Sequence, residues 1–164
     1  MRLLLTIYTL LLLGSLQAQP LSEVNLASNA FYIPAEKTIL YKLGDKTVPL
    51  SISRYGNSAA IVCINLHDNE FTSVQAARSV LEQKGGLLIK IENNRQRVIR
   101  FRLRGKTYAF DPNRIFSRTG IEQTLRENST ADIYAIEEIE KFAARLLSLI
   151  PDETACIVAL HNNS

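Results

Sequence analysis

The sequence predicts an α/β domain with a mixed, largely parallel central sheet flanked by helices and antiparallel hairpins at its margin. Three observations carry this. Residues 59–66 and 155–160 are apolar almost without interruption, the pattern of strands covered on both faces. Apolar residues at three- and four-residue spacing mark one helix after the first run and another before the second. Alternation through 48–53 and 98–103 marks strands with one wet face, as hairpins have. Strands that alternate with helices return in parallel.

Residues 1–18 read as a secretory signal: Arg2 is the positive start, 3–13 the apolar stretch, and small residues between Gly14 and Ala18 mark the cleavage region. The apolar stretch falls short of the roughly 20 residues that span a bilayer. A secreted or periplasmic protein with no membrane span after signal removal is therefore expected. Residues 19–37 show little periodicity and read as an irregular lead-in to a single domain over 38–164.

Within that domain, Val48, Leu50 and Ile52 alternate, and with Ile39 and Tyr41 they flank Gly44-Asp45-Lys46, a hairpin whose Pro49 predicts a place near the sheet edge. The apolar strand 59–66 follows. Val74, Ala77 and Leu81 then space a helix over 72–84, stopped by Gly85-Gly86. Residues 87–91 form the next strand and Asn93-Asn94 a turn. From 98 to 103 the strand turns Ile99, Phe101 and Leu103 inward, with Arg100 and Arg102 outward and Arg104 following in the same phase. Gly105-Lys106 leads into 107–110, which ends at Asp111-Pro112-Asn113-Arg114. A long helix over 130–150 carries Ile133, Ile136, Ile139, Phe142, Leu146 and Ile150 on one stripe, with Ser129 and Asp132 at its start and Pro151 beyond its end. The final apolar strand delivers His161.

The 164 residues carry a net charge of +3 with acids and bases interspersed, so no concentrated basic footprint for nucleic acid is present. There are two cysteines, Cys63 and Cys156, both inside apolar strands. If those strands end level at His67 and His161, alternation points the thiols to opposite faces, which predicts two buried free cysteines.

Both histidines of the chain fall at the carboxyl ends of apolar strands, where ligand sites of α/β sheets gather. His67 and Glu70 make H-x-x-E in a strand-to-helix turn, and His161 can supply a third ligand. Two histidines and a carboxylate leave a fourth position on zinc for water, which becomes a nucleophile near neutral pH. Arg114 offers a guanidinium fork for a carboxylate ligand and Asn113 an orienting amide, while the bland reading of the same stretch is a Pro-containing turn bonded to its own backbone.

His67-Asp-Asn-Glu70, then Asp111-Pro-Asn-Arg114 with Phe116, then Leu160-His161, in this order, resembles the zinc carboxypeptidases of the carboxypeptidase A type and the related aspartoacylase and succinylglutamate desuccinylase group. The resemblance implies zinc bound by His67, Glu70 and His161. It also implies that Asn113 and Arg114 hold the carboxylate of a small peptide or N-acyl amino acid, and that an upstream arginine polarises the scissile carbonyl. Arg100, Arg102 and Arg104 are the candidates, with Arg104 put forward for that catalytic role. Pro112 and Asp68 depart from the family pattern. The family's general-base glutamate follows the last metal ligand by a long stretch, and Glu137, Glu138 and Glu140 do not match it, so the resemblance implies a chain truncated after its third ligand. The expected function is an exported zinc-dependent hydrolase of an amide bond next to a carboxylate. The competing expectation is a carboxylate-binding module, or an inactive fragment, without catalysis.

Overall fold

Hydrophobic alternation and turn chemistry shape the first element of the computed structural model, which describes residues 35–67, 70–94 and 96–160. Strand β1 (Ala35–Leu43) and strand β2 (Lys46–Tyr55) form an antiparallel hairpin closed at Gly44 and Asp45, with Leu43 facing Lys46. Val48 and Leu50 are buried beneath it, as the alternation predicts. The strand starts at Ala35, so it takes in residues that the sequence assigns to the lead-in.

Strand β3 (Ile61–Asn65), helix α1 (Phe71–Lys84) and strand β4 (Gly86–Ile91) make a strand-helix-strand crossover, and β3 and β4 pair in parallel. Gly86, at φ 143°, lies so close to the Ile61 carbonyl and the Leu81 side chain that a Cβ would collide with both. Only glycine accepts that backbone and that approach. Strand β5 (Ile99–Leu103) and strand β6 (Lys106–Phe110) form a separate antiparallel pair. A 3₁₀ turn (Pro112–Arg114) leads into helix α2 (Arg118–Asn128), helix α3 (Ile133–Leu147) and strand β7 (Cys156–Leu160).

Among the described residues the main sheet has five strands in the order β1-β2-β4-β3-β7. β4, β3 and β7 are parallel to one another, while β2 runs antiparallel to both β1 and β4. The fold is thus α/β with a mixed sheet. One face meets α1 through Tyr55, Cys63, Leu81 and Leu88. The other carries the larger core, where Val62, Ile64, Leu87 and Ile89 pack with the β5–β6 hairpin, α2 and α3. Phe142 is fully buried there, with its ring 5.1 Å from Tyr41 and 6.3 Å from Phe110. Among the described residues no helix is long and apolar enough to cross a membrane.

The hairpin lies at the margin of the sheet, as Pro49 predicts, with β2 next to the edge strand β1; Pro49 sits at the end of the β4 ladder, where its carbonyl accepts from the Glu92 N–H at 2.9 Å. Three expectations are corrected. The segment before the long helix is itself helical: α2 buries Ile121, Thr124 and Leu125, and Ser129 closes it instead of opening α3. Asp132 alone caps α3, accepting from the Tyr134 N–H, and the helix ends at Leu147, with Ile133 left exposed. Finally, Ile61 pairs with Cys156 and Cys63 with Val158, so the two cysteines share a face. The strands are offset by one residue from the level ending assumed, and Cys156 is exposed because β7 lies at the sheet edge.

Candidate metal and carboxylate site

β3 ends in the core and hands the chain to α1 through a short turn, so the residues between them gather at the carboxyl end of the parallel strands. His67 is 6 % exposed and Glu70 4 %, and the turn is tied by Glu70 N–H to His67 O at 3.4 Å. The Asn94 side chain holds the strand end in place by donating to Leu66 O at 2.7 Å. One step earlier, Asn65 is buried with its Oδ1 lacking a hydrogen-bond partner among the described residues.

β6 delivers Asp111 to the same place. Its Oδ1 accepts from His67 Nε2 at 3.3 Å and from the Asn113 backbone N–H at 2.9 Å. The Arg97 Nε lies 3.6 Å from Oδ2. Asp111 is itself anchored by its N–H, which donates to Thr124 Oγ1 of α2 at 2.7 Å. The carboxylate therefore both caps the 3₁₀ turn and fixes the imidazole. Facing a carboxylate, Nε2 is the donor, and in the neutral ring Nδ1 is then the lone-pair nitrogen, one of the two through which a histidine can bind a metal.

The structure joins His67, Asp111 and the Asn113 backbone by direct hydrogen bonds and sets Glu70 at the head of α1, three residues after His67. Arg114 follows but turns to Glu127, whose two carboxylate oxygens lie 3.1 and 3.2 Å from its Nη1. Its expected affinity for a carboxylate is thus expressed toward an internal one. Phe116, the aromatic that follows, is partly exposed. Arg104 does not join the group: it sits in the β5–β6 turn at φ 51° with its guanidinium 3.5 Å over the Tyr134 ring. The five residues of β6 separate that turn from Asp111 by about 17 Å. Arg100 bonds Gln96 and Arg102 stays on the wet face.

His161 lies outside the described residues, as do Asp68 and Asn69. β7 brings Leu160 level with Asn65, at the same end of the sheet as His67. Among the described residues no group of three or more histidine, cysteine, aspartate or glutamate side chains is arranged to hold a metal ion. Two shallow surface hollows lie elsewhere, one along Thr119, Gln123 and Glu127 and one along Glu36, Arg54 and Pro151.

The sequence singles out neither Arg97, Thr124, Asn65 nor Asn94 for this site. Arg97 precedes β5 in a loop, where periodicity carries no information, and Thr124 is a polar residue inside a helix that the sequence reading did not assign. Asp111 was read only as a turn residue. Comparison with known protein families, curated proteins and solved structures finds no match to this chain.

Proposed function

We propose that this protein is an exported zinc-dependent hydrolase of the zinc carboxypeptidase type, cleaving an amide bond next to a carboxylate in a small peptide or an N-acyl amino acid. The observation that carries the reading is the hydrogen bond from buried His67 to Asp111. A buried imidazole held by a carboxylate is one of the outer-sphere arrangements in which metal-binding histidines are oriented.

The described residues fit the metal in part. His67 has Nε2 engaged by Asp111, Glu70 is buried at the head of α1, and the buried Asn65 oxygen marks a polar environment at the strand ends. Zinc would be held by His67, Glu70 and His161, and it would supply an activated water. The chain's own residues perform the remaining tasks. Asp111 keeps the imidazole in one tautomer and orientation. Arg97, bound to the outer oxygen of Asp111, is better placed than Arg104 to meet the carbonyl oxygen as it gains charge. Arg114 and Asn113 would receive the substrate carboxylate, Arg114 by exchanging Glu127 for it.

A second reading, a carboxylate-binding module that does not turn substrate over, draws on Asn113 and Arg114 standing side by side in the 3₁₀ turn that follows β6. Activity separates them. Zinc-loaded full chain is expected to release free amino acid from N-acetyl amino acids, and Arg114→Gln to raise KM at least tenfold with little change in kcat. Carboxylate binding that depends on Arg114 without turnover supports the module, and no binding of either kind contradicts both.

A further inference from the structure

We infer that the wet face of the β5–β6 hairpin is a docking surface for an acidic polypeptide segment in extended conformation, gripped by Arg100 and Arg102. Charge is mixed along the chain with one exception. Arg95, Arg97, Arg100, Arg102, Arg104 and Lys106 all fall between 93 and 110, where there is no Asp or Glu, although the whole chain carries only +3. The remainder is therefore net acidic. On α2 and just before it the arginines sit against carboxylates, Arg114 on Glu127 and Arg118 on Glu122 and Glu140. On β5 they do not. Arg100 bonds the neutral Gln96 at 2.9 Å, and the exposed Arg102 guanidinium has no hydrogen-bond or ion-pair partner among the described residues. Opposite them on β6 stand Ala109 and Thr107, too short to shield either charge. A row of unneutralised like charges repels itself, and an anionic partner relieves that repulsion.

Geometry selects the kind of anion. Same-face residues of a strand repeat every ~6.8 Å, and so do alternate residues of an extended peptide, so carboxylates at every second position meet the row in step. The outer edge of β5 already pairs with one acidic residue. Asp45 of the β1–β2 turn donates its N–H to Arg102 O at 3.0 Å and accepts from the Arg102 N–H through Oδ1 at 2.6 Å. By alternation the N–H and C=O of Arg100 point to the same side, and among the described residues nothing pairs with them. An acidic residue set against Arg100 there lies directly across from its side chain and diagonal to Arg102, within reach of both. The face suits other polyanions less well. Phe101, Tyr108 and Phe110 are buried, so it offers no ring on which a base can stack. Among the described residues the hairpin exposes no large apolar side chain to enter a bilayer.

Fluorescence anisotropy of a labelled Thr-Glu repeat peptide, titrated with the full chain at low and at high salt, tests this. The expected result is binding at low salt that weakens as salt is added, and that is tighter than binding of a peptide of the same composition with its glutamates in one block. The double variant Arg100→Ala/Arg102→Ala should bind the repeat peptide about tenfold more weakly, two cross-strand charge pairs being lost. Arg118→Ala, which removes a charge elsewhere, should bind as wild type does, and circular dichroism should show every variant folded. Absence of binding at low salt overturns the inference, as does binding that the double variant leaves unchanged. So does a preference for the block peptide, or tighter binding of an oligothymidylate or of phosphatidylglycerol vesicles than of the repeat peptide.

Discussion

Replacing Asp111 by alanine separates a residue that merely fills a turn from one that organises a site. Three interactions are lost at once. The cap on Asn113 N–H is worth about 1 kcal/mol. The bond from His67, at 3.3 Å, is at the long end for N–H···O, so it contributes near the lower bound of the charge-assisted range, about 1.5 kcal/mol. Arg97 lies 3.6 Å away with a side chain 79 % exposed and adds no more than about 0.5 kcal/mol. Asp111→Ala is thus expected to cost about 2–3 kcal/mol in urea unfolding. Asp111→Asn can still accept both hydrogen bonds, so it should cost about 1 kcal/mol or less. Both should weaken zinc affinity, by about 10–100-fold, because the imidazole loses its charged partner. If the alanine variant unfolds within about 0.5 kcal/mol of wild type and binds zinc equally well, the assignment of Asp111 fails.

The core and the thiols give independent checks. Phe142→Ala removes a fully buried ring between Tyr41 and Phe110 and should cost about 3–5 kcal/mol by denaturant unfolding; a cost under about 1 kcal/mol would mean α3 does not pack as described. Burial, and secondarily the neighbouring Cys156, pushes the Cys63 thiol from 9.0 up to about 11. The folded state therefore holds this proton more tightly than the unfolded chain, and the associated stability is complete below about pH 9 and lost as pH rises through about 11. The urea midpoint of wild type should fall more steeply over that window than that of Cys63→Ala, and equal slopes would contradict the burial of Cys63.

The elements that were legible in the sequence are those whose burial is one-sided and apolar. Val48 and Leu50 announce β2, and Ile136, Ile139, Phe142 and Leu146 announce α3, because each stripe has a single period. α2 gives no such stripe: Ile121 and Leu125 are its buried aliphatics, and Thr124 between them is polar yet fully buried. The faces of the cysteines were misread by a one-residue register shift, which inverts every side chain and which composition does not encode. An apolar run likewise does not report how many neighbours a strand has, so 155–160 reads as central although β7 lies at an edge. In the site, the strand-to-helix transition was enough to place His67 and Glu70. The partnership of His67 with Asp111 spans 44 residues and depends on where β6 ends relative to β3, a tertiary fact that a turn motif does not carry.

Zinc content of the purified full chain, after exposure to the metal and removal of the excess, tests the central proposal most directly. One zinc per chain is expected for wild type, with loss of stoichiometric metal in His67→Ala, Glu70→Ala and His161→Ala while each variant keeps its fold by circular dichroism. A wild type that retains no zinc, or a His67→Ala variant that retains as much as wild type, contradicts it.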